Sequence, residues 1–339
     1  MLPLLSALEA LGAEVEANNG CAPFSITGPA AGDEVAIQGD ISSQFISALL
    51  LGAPLSPSGR TIRLTTELAS RPYVNMTISA MKKHGVEVLE TDDGFVVPAG
   101  QHYMPADGIV SGDYSSAAFI LAAGALTGKV TVTGLEEHDP QGDKAVLDIL
   151  ARFGAKVSRT GDAVTVECGK LSGIAVDLSD APDLFPIIAV IGCAAEGTTR
   201  LFGAAHLAFK ESNRLQTTAA FLSAMGADIT ATEDGCIIRG GRPLHGAEIE
   251  TKGDHRIAMA GAVAALTAEK QPVAVEKGES PIAEIKAHAD LRHIALDRLL
   301  GSKTLGSATA EADFAGRISE GNLRGDVSGR VESIELNGA

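Results

Sequence analysis

A short sequence motif occurs four times along the chain. In each copy a glycine follows a segment of helical spacing and opens a short stretch with β-branched residues, and the copies begin at Gly12, Gly85, Gly154 and Gly226. The intervals are 73, 69 and 72 residues. A period near 70 is too long for a solenoid repeat, whose units span roughly 20 to 50 residues. The spacing therefore predicts one compact supersecondary unit that is used several times.

A second motif has the same period and completes the predicted unit. A Gly-Asp turn, or the acidic stretch 180–183, enters an apolar helix predicted over 42–51, 115–126, 184–194 and 256–266. A β-branched strand follows each helix, at 61–64, 129–133, 198–201 and 272–275. Two further strands join through hairpin turns at Asp93-Gly94, Gly161-Asp162 and Asp234-Gly235. Strands that alternate with helices in this way predict an α/β fold.

The domain organisation follows from where the repeat starts and stops. The helix predicted over 1–11 corresponds to the second helix of a unit, so we expect an incomplete first domain at 1–106 and a second domain at 107–300. Residues 301–339 are rich in Gly, Ser, Ala, Glu and Arg and carry few large apolar side chains. This composition predicts a poorly ordered tail of unknown origin.

Composition excludes several classes of function. The net charge is −16, aromatic residues make up 4% of the chain, and Trp is absent. A polyanion would be repelled and bases would find few stacking partners, so we expect no binding to nucleic acid or to anionic membranes. The four cysteines are far apart and form no Cys-x-x-Cys pair, which indicates reduced thiols. Without an apolar run of about 18 residues, we expect a soluble, cytoplasmic protein.

The segment Lys210-Glu211-Ser212-Asn213-Arg214 is the strongest local candidate for chemistry. It opens a helix predicted over 211–225, and it brings two cations and a carboxylate to a helix N-terminus, where backbone N–H groups already favour anions. An anionic ligand, or Glu211 itself, would offset the misplaced cations. When this segment is taken alone, an ordinary ion pair on a solvated helix face is the favoured explanation.

Three other clusters occupy equivalent corners of the repeat, each between a strand and a helix start. They are Ser42-Ser43-Gln44, Asp183 and Asp254-His255-Arg256. Helix capping accounts for each of them singly, but together with the Lys210 segment they combine cations and carboxylates in a way that suits transfer between anionic substrates. No metal-binding spacing and no Walker or Gly-x-Gly-x-x-Gly motif is present, so we expect neither a metal nor a nucleotide cofactor.

Five motifs together identify a family that the chain resembles. They are Gly39-Asp40-Ile41-Ser42-Ser43-Gln44-Phe45, Ser70-Arg71-Pro72-Tyr73, Gly112-Asp113-Tyr114-Ser115-Ser116-Ala117, Lys210-Glu211-Ser212-Asn213-Arg214-Leu215 and Gly253-Asp254-His255-Arg256-Ile257-Ala258-Met259. In this order they resemble the 5-enolpyruvylshikimate-3-phosphate synthase (3-phosphoshikimate 1-carboxyvinyltransferase) family over residues 1 to 276. The resemblance implies repeated βαβαββ units in two domains around a cleft, an inside-out α/β barrel.

The resemblance also implies a transferase reaction in chorismate and aromatic amino-acid biosynthesis. The 5-hydroxyl of shikimate 3-phosphate attacks C2 of protonated phosphoenolpyruvate, a tetrahedral intermediate forms, phosphate leaves and the enol ether is regenerated. The family uses no metal or organic cofactor, and its partners are these two small molecules. We expect a monomer.

Residue roles carry over from the family by motif. Asp183 would be the base near the 5-hydroxyl, Glu211 would exchange the proton at the methylene carbon, and His255 would line the transfer site. Shikimate 3-phosphate would contact Ser42, Ser43, Gln44, Ser70, Tyr73, Asp183 and Lys210. Phosphoenolpyruvate would contact Gln44, Arg214 and Arg256.

The chain departs from the family pattern at several places. The family's Lys-Ser-x-x-Asn-Arg segment and its Gly-Asn-Ser/Ala-Gly-Thr loop would precede Met1, so we expect a chain that lacks part of the cationic site. His206 stands where the family commonly has Asn, and Asn213 where it commonly has Asp. Two alternatives stay open: enolpyruvyl transfer to a UDP-amino sugar, and a non-catalytic remnant of the family.

Overall fold

The computed structural model describes residues 1–269, 283–295, 307–319 and 322–335. The chain divides into two compact units. The first comprises Met1–Gly108 with Pro140–Gly142, and the second comprises Ile109–Asp139 with Asp143–Ala339. The first division falls two residues beyond the boundary predicted between 106 and 107.

The first unit is built around one four-stranded mixed sheet. Its elements are α1 (Leu2–Ala10), β1 (Glu14–Asn18), β2 (Cys21–Thr27), β3 (Glu34–Ile37), α2 (Ser43–Gly52), β4 (Arg60–Leu64), α3 (Arg71–Lys83), β5 (Leu89–Thr91) and β6 (Gly94–Val97). The sheet order is β3-β4-β6-β5, with β3 parallel to β4 and the other pairs antiparallel. Strands β1 and β2 form a separate hairpin. The core lies between the sheet and α2 and α3, where Ile46, Leu50, Val74, Ile62 and Phe95 are buried.

The second unit contains several sheets. Its elements are α4 (Tyr114–Thr127), β7 (Lys129–Val132), α5 (Val146–Phe153), β8 (Lys156–Thr160), β9 (Ala163–Glu167), β10 (Ala175–Asp177), α6 (Phe185–Ala194), β11 (Thr198–Phe202), α7 (Arg214–Ala224), β12 (Asp228–Ala231), β13 (Cys236–Arg239), β14 (Leu244–His245), α8 (His255–Ala265), β15 (Ala268–Glu269), β16 (Ala283–Ala295), β17 (Ser307–Ser319) and β18 (Asn322–Glu335). The sheet orders are β7-β9-β8, β10-β11-β13-β12, β14-β15 and β16-β17-β18. Helix α6 contacts α4, α7 and α8, and together they bury most of the core of this unit.

The predicted repeat is confirmed by equivalent hydrogen bonds in successive copies. The sheet β10-β11-β13-β12 has the order and strand directions of β3-β4-β6-β5. At the end of the central strand, the backbone N–H groups of Leu64 and Ala204 donate to the carbonyls of Asp93 and Asp234 in the hairpin turns, at 2.7 and 2.8 Å. The third copy has the same bond from Leu135 to Asp162.

The recurring glycines end helices, as their position in the repeat predicts. Gly12, Gly85, Gly154 and Gly226 all have positive φ, between 81° and 114°. The residue after each glycine donates its N–H to a carbonyl five residues back, for example Ala227 to Leu222 at 2.9 Å. This is the Schellman arrangement, in which a left-handed residue lets the last helical carbonyls find donors.

Three local expectations differ from the structure. Helix α7 begins at Arg214 and not at Glu211, because the side chain of Asn213 caps the helix by accepting from the N–H of Gln216 at 3.2 Å. The strand after α3 begins at Leu89, four residues after Gly85, whereas in the other three copies the strand begins two residues after the glycine. The strand predicted over 272–275 lies outside the described residues.

The sheet β16-β17-β18 includes residues for which composition predicts a poorly ordered tail. There the described backbone is extended, and Ser307–Ser319 pairs with Asn322–Glu335 in antiparallel register. Small apolar and polar residues alternate from Ala308 to Asp313, a period-two pattern that favours a strand and that composition does not register.

The described part of the chain contains no helix long and apolar enough to cross a membrane.

Candidate active site

The candidate residues of the second unit lie where helices begin. Because β10 is parallel to β11, the segments that follow these strands start at the same edge of the sheet. Asp183 follows β10 in the short turn Pro182–Leu184 that leads into α6. Lys210 and Glu211 follow β11 and precede α7. The starts of α4 and α8 join them through the contacts described below.

Arg214 is the centre of a buried ionic cluster. Only 1% of its side chain is exposed, and each of its three nitrogens contacts a carboxylate. Nε donates to Asp254 at 2.8 Å, Nη1 to Asp183 at 2.6 Å and Nη2 to Glu211 at 2.5 Å. The three carboxylates differ in exposure: the side chain of Asp254 is 0% exposed, that of Asp183 17% and that of Glu211 50%. Glu211 is therefore the carboxylate that can leave the arginine at the lowest desolvation cost.

Asp254 joins the cluster to the start of α8. Its carboxylate caps this helix by accepting from the N–H of Arg256 at 3.0 Å, and it also accepts from the hydroxyl of Ser212 at 3.0 Å. Burial by itself would raise the pKa of Asp254, but the hydrogen bonds and positive charge of Arg214 outweigh it and hold the pKa below its ordinary value. Asp254 thus remains a charged, fully bonded anchor for Arg214.

Asp183 connects two arginines. Its Oδ1 accepts a hydrogen bond from Arg214, and its Oδ2 forms an ion pair with Nη2 of Arg256 at 2.9 Å. Nη1 of Arg256 donates to the hydroxyl of Ser115, in the first turn of α4, at 2.5 Å. Nε of Arg256 is buried and has no hydrogen-bond partner among the described residues. The starts of α4, α7 and α8 and the turn before α6 therefore meet at one cluster.

Lys210 and His206 lie beside this cluster. Both are half-buried. Burial lowers the pKa of His206, the charge of Lys210 lowers it further, and Asp183 opposes the shift. Lys210 forms no salt bridge with any carboxylate that the structure describes. It is thus a cation that a ligand could use. His255, the first residue of α8, is exposed.

The candidates of the first unit form a separate group. Because β3 is parallel to β4, α2 and α3 begin at the same edge of their sheet, and Ser47 and Thr77 join the two helices by a hydroxyl contact of 2.8 Å. Ser42 caps α2 and accepts from the N–H of Gln44 at 3.3 Å. Ser43 is buried and Gln44 is exposed.

The start of α3 has a less common backbone conformation. Ser70, the residue before the helix, is left-handed with φ 55° and is buried. The carbonyl of Ser70 accepts from the N–H of Tyr73 at 3.1 Å, and Tyr73 is half-buried. A non-glycine residue with positive φ costs free energy and is concentrated at functional sites.

Some of the cluster is not among the residues predicted for the site. Asp254 contacts Arg214, Ser115 contacts Arg256 and Ser212 contacts Asp254, yet the family resemblance assigns none of the three a role. The Gly-Asp turn before α8 marks Asp254 as a cap and so gave a usable signal, whereas no sequence pattern links Ser115 to Arg256, 141 residues away. Within the described residues, no group of three or more His, Cys, Asp or Glu side chains is placed to hold a metal ion.

Comparison with known proteins gives a consistent result. The family model described as EPSP synthase (3-phosphoshikimate 1-carboxyvinyltransferase) matches residues 1–280. The 3-phosphoshikimate 1-carboxyvinyltransferase of Methanocorpusculum labreanum is 56% identical over 278 residues, which are 82% of this chain and 66% of that protein. The enzyme of the same name from Methanocaldococcus jannaschii is 43% identical over 80% of this chain and 65% of its own length.

Solved structures give the same picture of the fold. EPSP synthase from Acinetobacter baumannii matches with a TM-score of 0.64 and 28% identity, over 79% of this chain and 64% of that one. The enolpyruvyl transferase NikO from Streptomyces tendae matches with a TM-score of 0.60 and 18% identity, which bears on the fold alone. The chain spans slightly less than two thirds of the length of these relatives.

Proposed function

Because the chain belongs to the EPSP synthase (3-phosphoshikimate 1-carboxyvinyltransferase) family, we propose that it transfers the enolpyruvyl group of phosphoenolpyruvate to the 5-hydroxyl of shikimate 3-phosphate and releases phosphate. The observation that carries this proposal is the position of Asp183 between Arg214 and Arg256. It puts a carboxylate base directly beside two cations suited to an anionic substrate.

In the proposed reaction, Arg214 and Arg256 bind the anionic groups of phosphoenolpyruvate. Both guanidiniums have planar donor pairs that match carboxylate and phosphate oxygens. These donors contact Asp183 and Glu211, so an anion that binds the arginines has to take over at least one of these contacts. The carboxylates therefore compete with the substrate for the arginines.

The two carboxylates have different tasks. Asp183 takes the proton of the 5-hydroxyl as the hydroxyl oxygen bonds to C2 of phosphoenolpyruvate, and it passes this proton to the phosphate that leaves. Glu211, half-exposed and held by a single hydrogen bond to Arg214, gives a proton to the methylene carbon and takes one back when phosphate leaves. A half-exposed carboxylate can turn from Arg214 to the substrate with little change in burial, which suits a proton carrier.

Shikimate 3-phosphate is the second proposed ligand. We propose Lys210 and His206 as contacts for its charged groups. We also propose Ser42, Ser43, Gln44, Ser70 and Tyr73, which carry hydroxyl, amide and helix-start N–H donors, and Gln44 in addition for phosphoenolpyruvate. His255 would line the transfer site. We propose that the protein acts on these small molecules as a monomer in the cytoplasm.

The test is phosphate release from phosphoenolpyruvate with each of two acceptors, shikimate 3-phosphate and UDP-N-acetylglucosamine. The purified chain is assayed alone and again as a fusion with the part of the Methanocorpusculum labreanum relative that the chain does not match. Release that depends on shikimate 3-phosphate, in either form, supports the proposal. Release with the UDP-sugar only would replace the acceptor, and binding of shikimate 3-phosphate without release in both forms would indicate a non-catalytic protein.

A further inference from the structure

Ser115 contacts Arg256, the second arginine of the cluster. It lies in α4, whereas the proposed catalytic groups lie in other segments of the chain. Its hydroxyl accepts from Nη1 of Arg256 at 2.5 Å, and its side chain is buried. The other described contact of this guanidinium is Nη2 with Asp183. Arg256 therefore has one partner that is a proposed catalytic base and one that is a neutral, fixed hydroxyl.

The position of this hydroxyl is set by the core. Asp113 caps α4 and accepts from the N–H groups of Ser115 and Ser116 at 2.9 and 3.1 Å. The helix that follows is buried along most of its length, including Ala117, Ala118 and Leu121. A helix fixed at its cap and packed along its length presents its first-turn side chains at constant positions.

The cap itself does not need the hydroxyl of Ser115. Asp113 uses the backbone N–H of Ser115, whereas the neighbouring hydroxyl, that of Ser116, donates to the carboxylate of Asp113 at 2.5 Å. Ser115 and Ser116 thus divide two tasks: one hydroxyl completes the helix cap and the other contacts the arginine. This division supplies a matched pair of residues in the same helical turn.

The two contacts of Arg256 respond differently when an anion arrives. An anion that takes the place of Asp183 leaves the contact between Nη1 of Arg256 and Ser115 intact. The guanidinium therefore keeps its orientation while its other partner is exchanged. We propose that Ser115 is a positioning residue that orients Arg256 for phosphoenolpyruvate. This inference rests on the proposed function, since it takes phosphoenolpyruvate as the anion that Arg256 binds.

The experiment compares Ser115→Ala, Ser115→Thr and Ser116→Ala with the unsubstituted protein, in whichever of the two forms is active. Titration calorimetry gives the Kd of phosphoenolpyruvate without shikimate 3-phosphate, so that no turnover contributes heat, and steady-state kinetics give the KM of each substrate. We expect Ser115→Ala to raise the Kd of phosphoenolpyruvate about tenfold, which corresponds to about 1.4 kcal/mol, because a hydrogen bond to a charged group is lost. The KM of shikimate 3-phosphate should change less than about twofold, and Ser115→Thr, which keeps the hydroxyl, should recover most of the loss.

Ser116→Ala separates positioning from folding. It removes a hydroxyl from the same turn without touching Arg256, so we expect its affinity for phosphoenolpyruvate to stay within about twofold of the unsubstituted protein. Equal affinities in Ser115→Ala and Ser116→Ala would overturn the role of Ser115 and leave the proposed function standing. If Ser115→Ala raised the KM of both substrates to the same extent, the role of Ser115 would also be overturned, because the substitution would then have disturbed the site as a whole. If the unsubstituted protein bound no phosphoenolpyruvate, the proposed function and this inference would both fall.

Discussion

The substitution Asp254→Asn tests how the buried cluster is held together. Asp254 accepts from Nε of Arg214, from Ser212 and from the N–H of Arg256, and its side chain is fully buried. Asn has nearly the same shape and can still cap α8 through its side-chain oxygen. The substitution therefore removes the charge while it keeps the volume and the helix cap.

The expected loss in the free energy of unfolding depends on which partners Arg214 keeps after the substitution. Arg214 is almost fully buried, and losing Asp254 leaves its Nε against a neutral amide, although Asp183 and Glu211 still contact the other nitrogens. Breaking a buried ion pair by removing one partner costs roughly 3–5 kcal/mol. Because two carboxylates remain, we expect the lower end of that range, about 3 kcal/mol, in the free energy of unfolding. Asp254→Ala should lose about 1 kcal/mol more, since it also removes the cap.

The effect should depend on pH. The pKa of Asp254 is lower in the folded chain than its ordinary value, so the folded state holds the carboxylate ionised where the unfolded state begins to bind a proton. Its stabilisation is complete above the unfolded pKa of about 3.9 and is lost as the pH falls through the folded pKa. The difference between the unsubstituted protein and Asp254→Asn should therefore be constant near neutral pH and shrink below about pH 4.

Urea unfolding followed by far-UV circular dichroism measures both effects. Asp148→Asn is the control, because that carboxylate is 73% exposed and pairs with Arg152 within one helix. It should change the free energy of unfolding by less than about 1 kcal/mol. If Asp254→Asn cost no more than Asp148→Asn at neutral pH, the cluster would not be held by buried charge and the reasoning above would be refuted.

Three further predictions concern single features of the second unit. Glu211→Gln should lower kcat on the order of a hundredfold, as expected when a proton carrier is lost. The free energy of unfolding should change by less than about 1 kcal/mol because the side chain is half-exposed. An unchanged kcat would show that Glu211 takes no part in the chemistry. Asn213→Ala should cost about 1 kcal/mol in thermal unfolding through loss of the α7 cap, and an unchanged melting temperature would speak against that cap. Burial raises the pKa of the Cys193 and Cys236 thiols to about 12, so iodoacetamide at pH 8 should label two cysteines in the folded protein, and four labelled cysteines would contradict their burial.

Much of the fold could be predicted from local signals that recur. The glycine after each helix, the Gly-Asp or Asp-Gly turns and the β-branched strands each fix a backbone conformation without help from distant residues. Because these signals recur, the unit could be recognised even in the copy where the acidic stretch 180–183 replaces the Gly-Asp turn. The pairing of Ser307–Ser319 with Asn322–Glu335 could not be found from composition, because composition counts residues and does not record the order in which small and polar residues alternate.

The sequence motifs named three members of the ionic cluster but not the contacts between them. Asp183, Arg214 and Arg256 follow from motifs, but the burial of Arg214 depends on Asp254, 40 residues further on. Sequence spacing placed Glu211 inside a helix, whereas Asn213 caps α7 and leaves Glu211 outside it, free to reach Arg214 from the preceding loop. Such geometry arises from the meeting of separate helix starts, which a single sequence does not encode locally.

The most direct test of the central claim is phosphate release from phosphoenolpyruvate and shikimate 3-phosphate. It is measured for the unsubstituted protein and for Asp183→Asn, in the chain alone and in the fusion described above. Asp183→Asn keeps the shape of the side chain but removes the base between Arg214 and Arg256. We predict release that requires shikimate 3-phosphate and that falls on the order of a thousandfold in Asp183→Asn. Equal rates of release in the two proteins would contradict the claim that the carboxylate between these arginines takes the proton of the 5-hydroxyl.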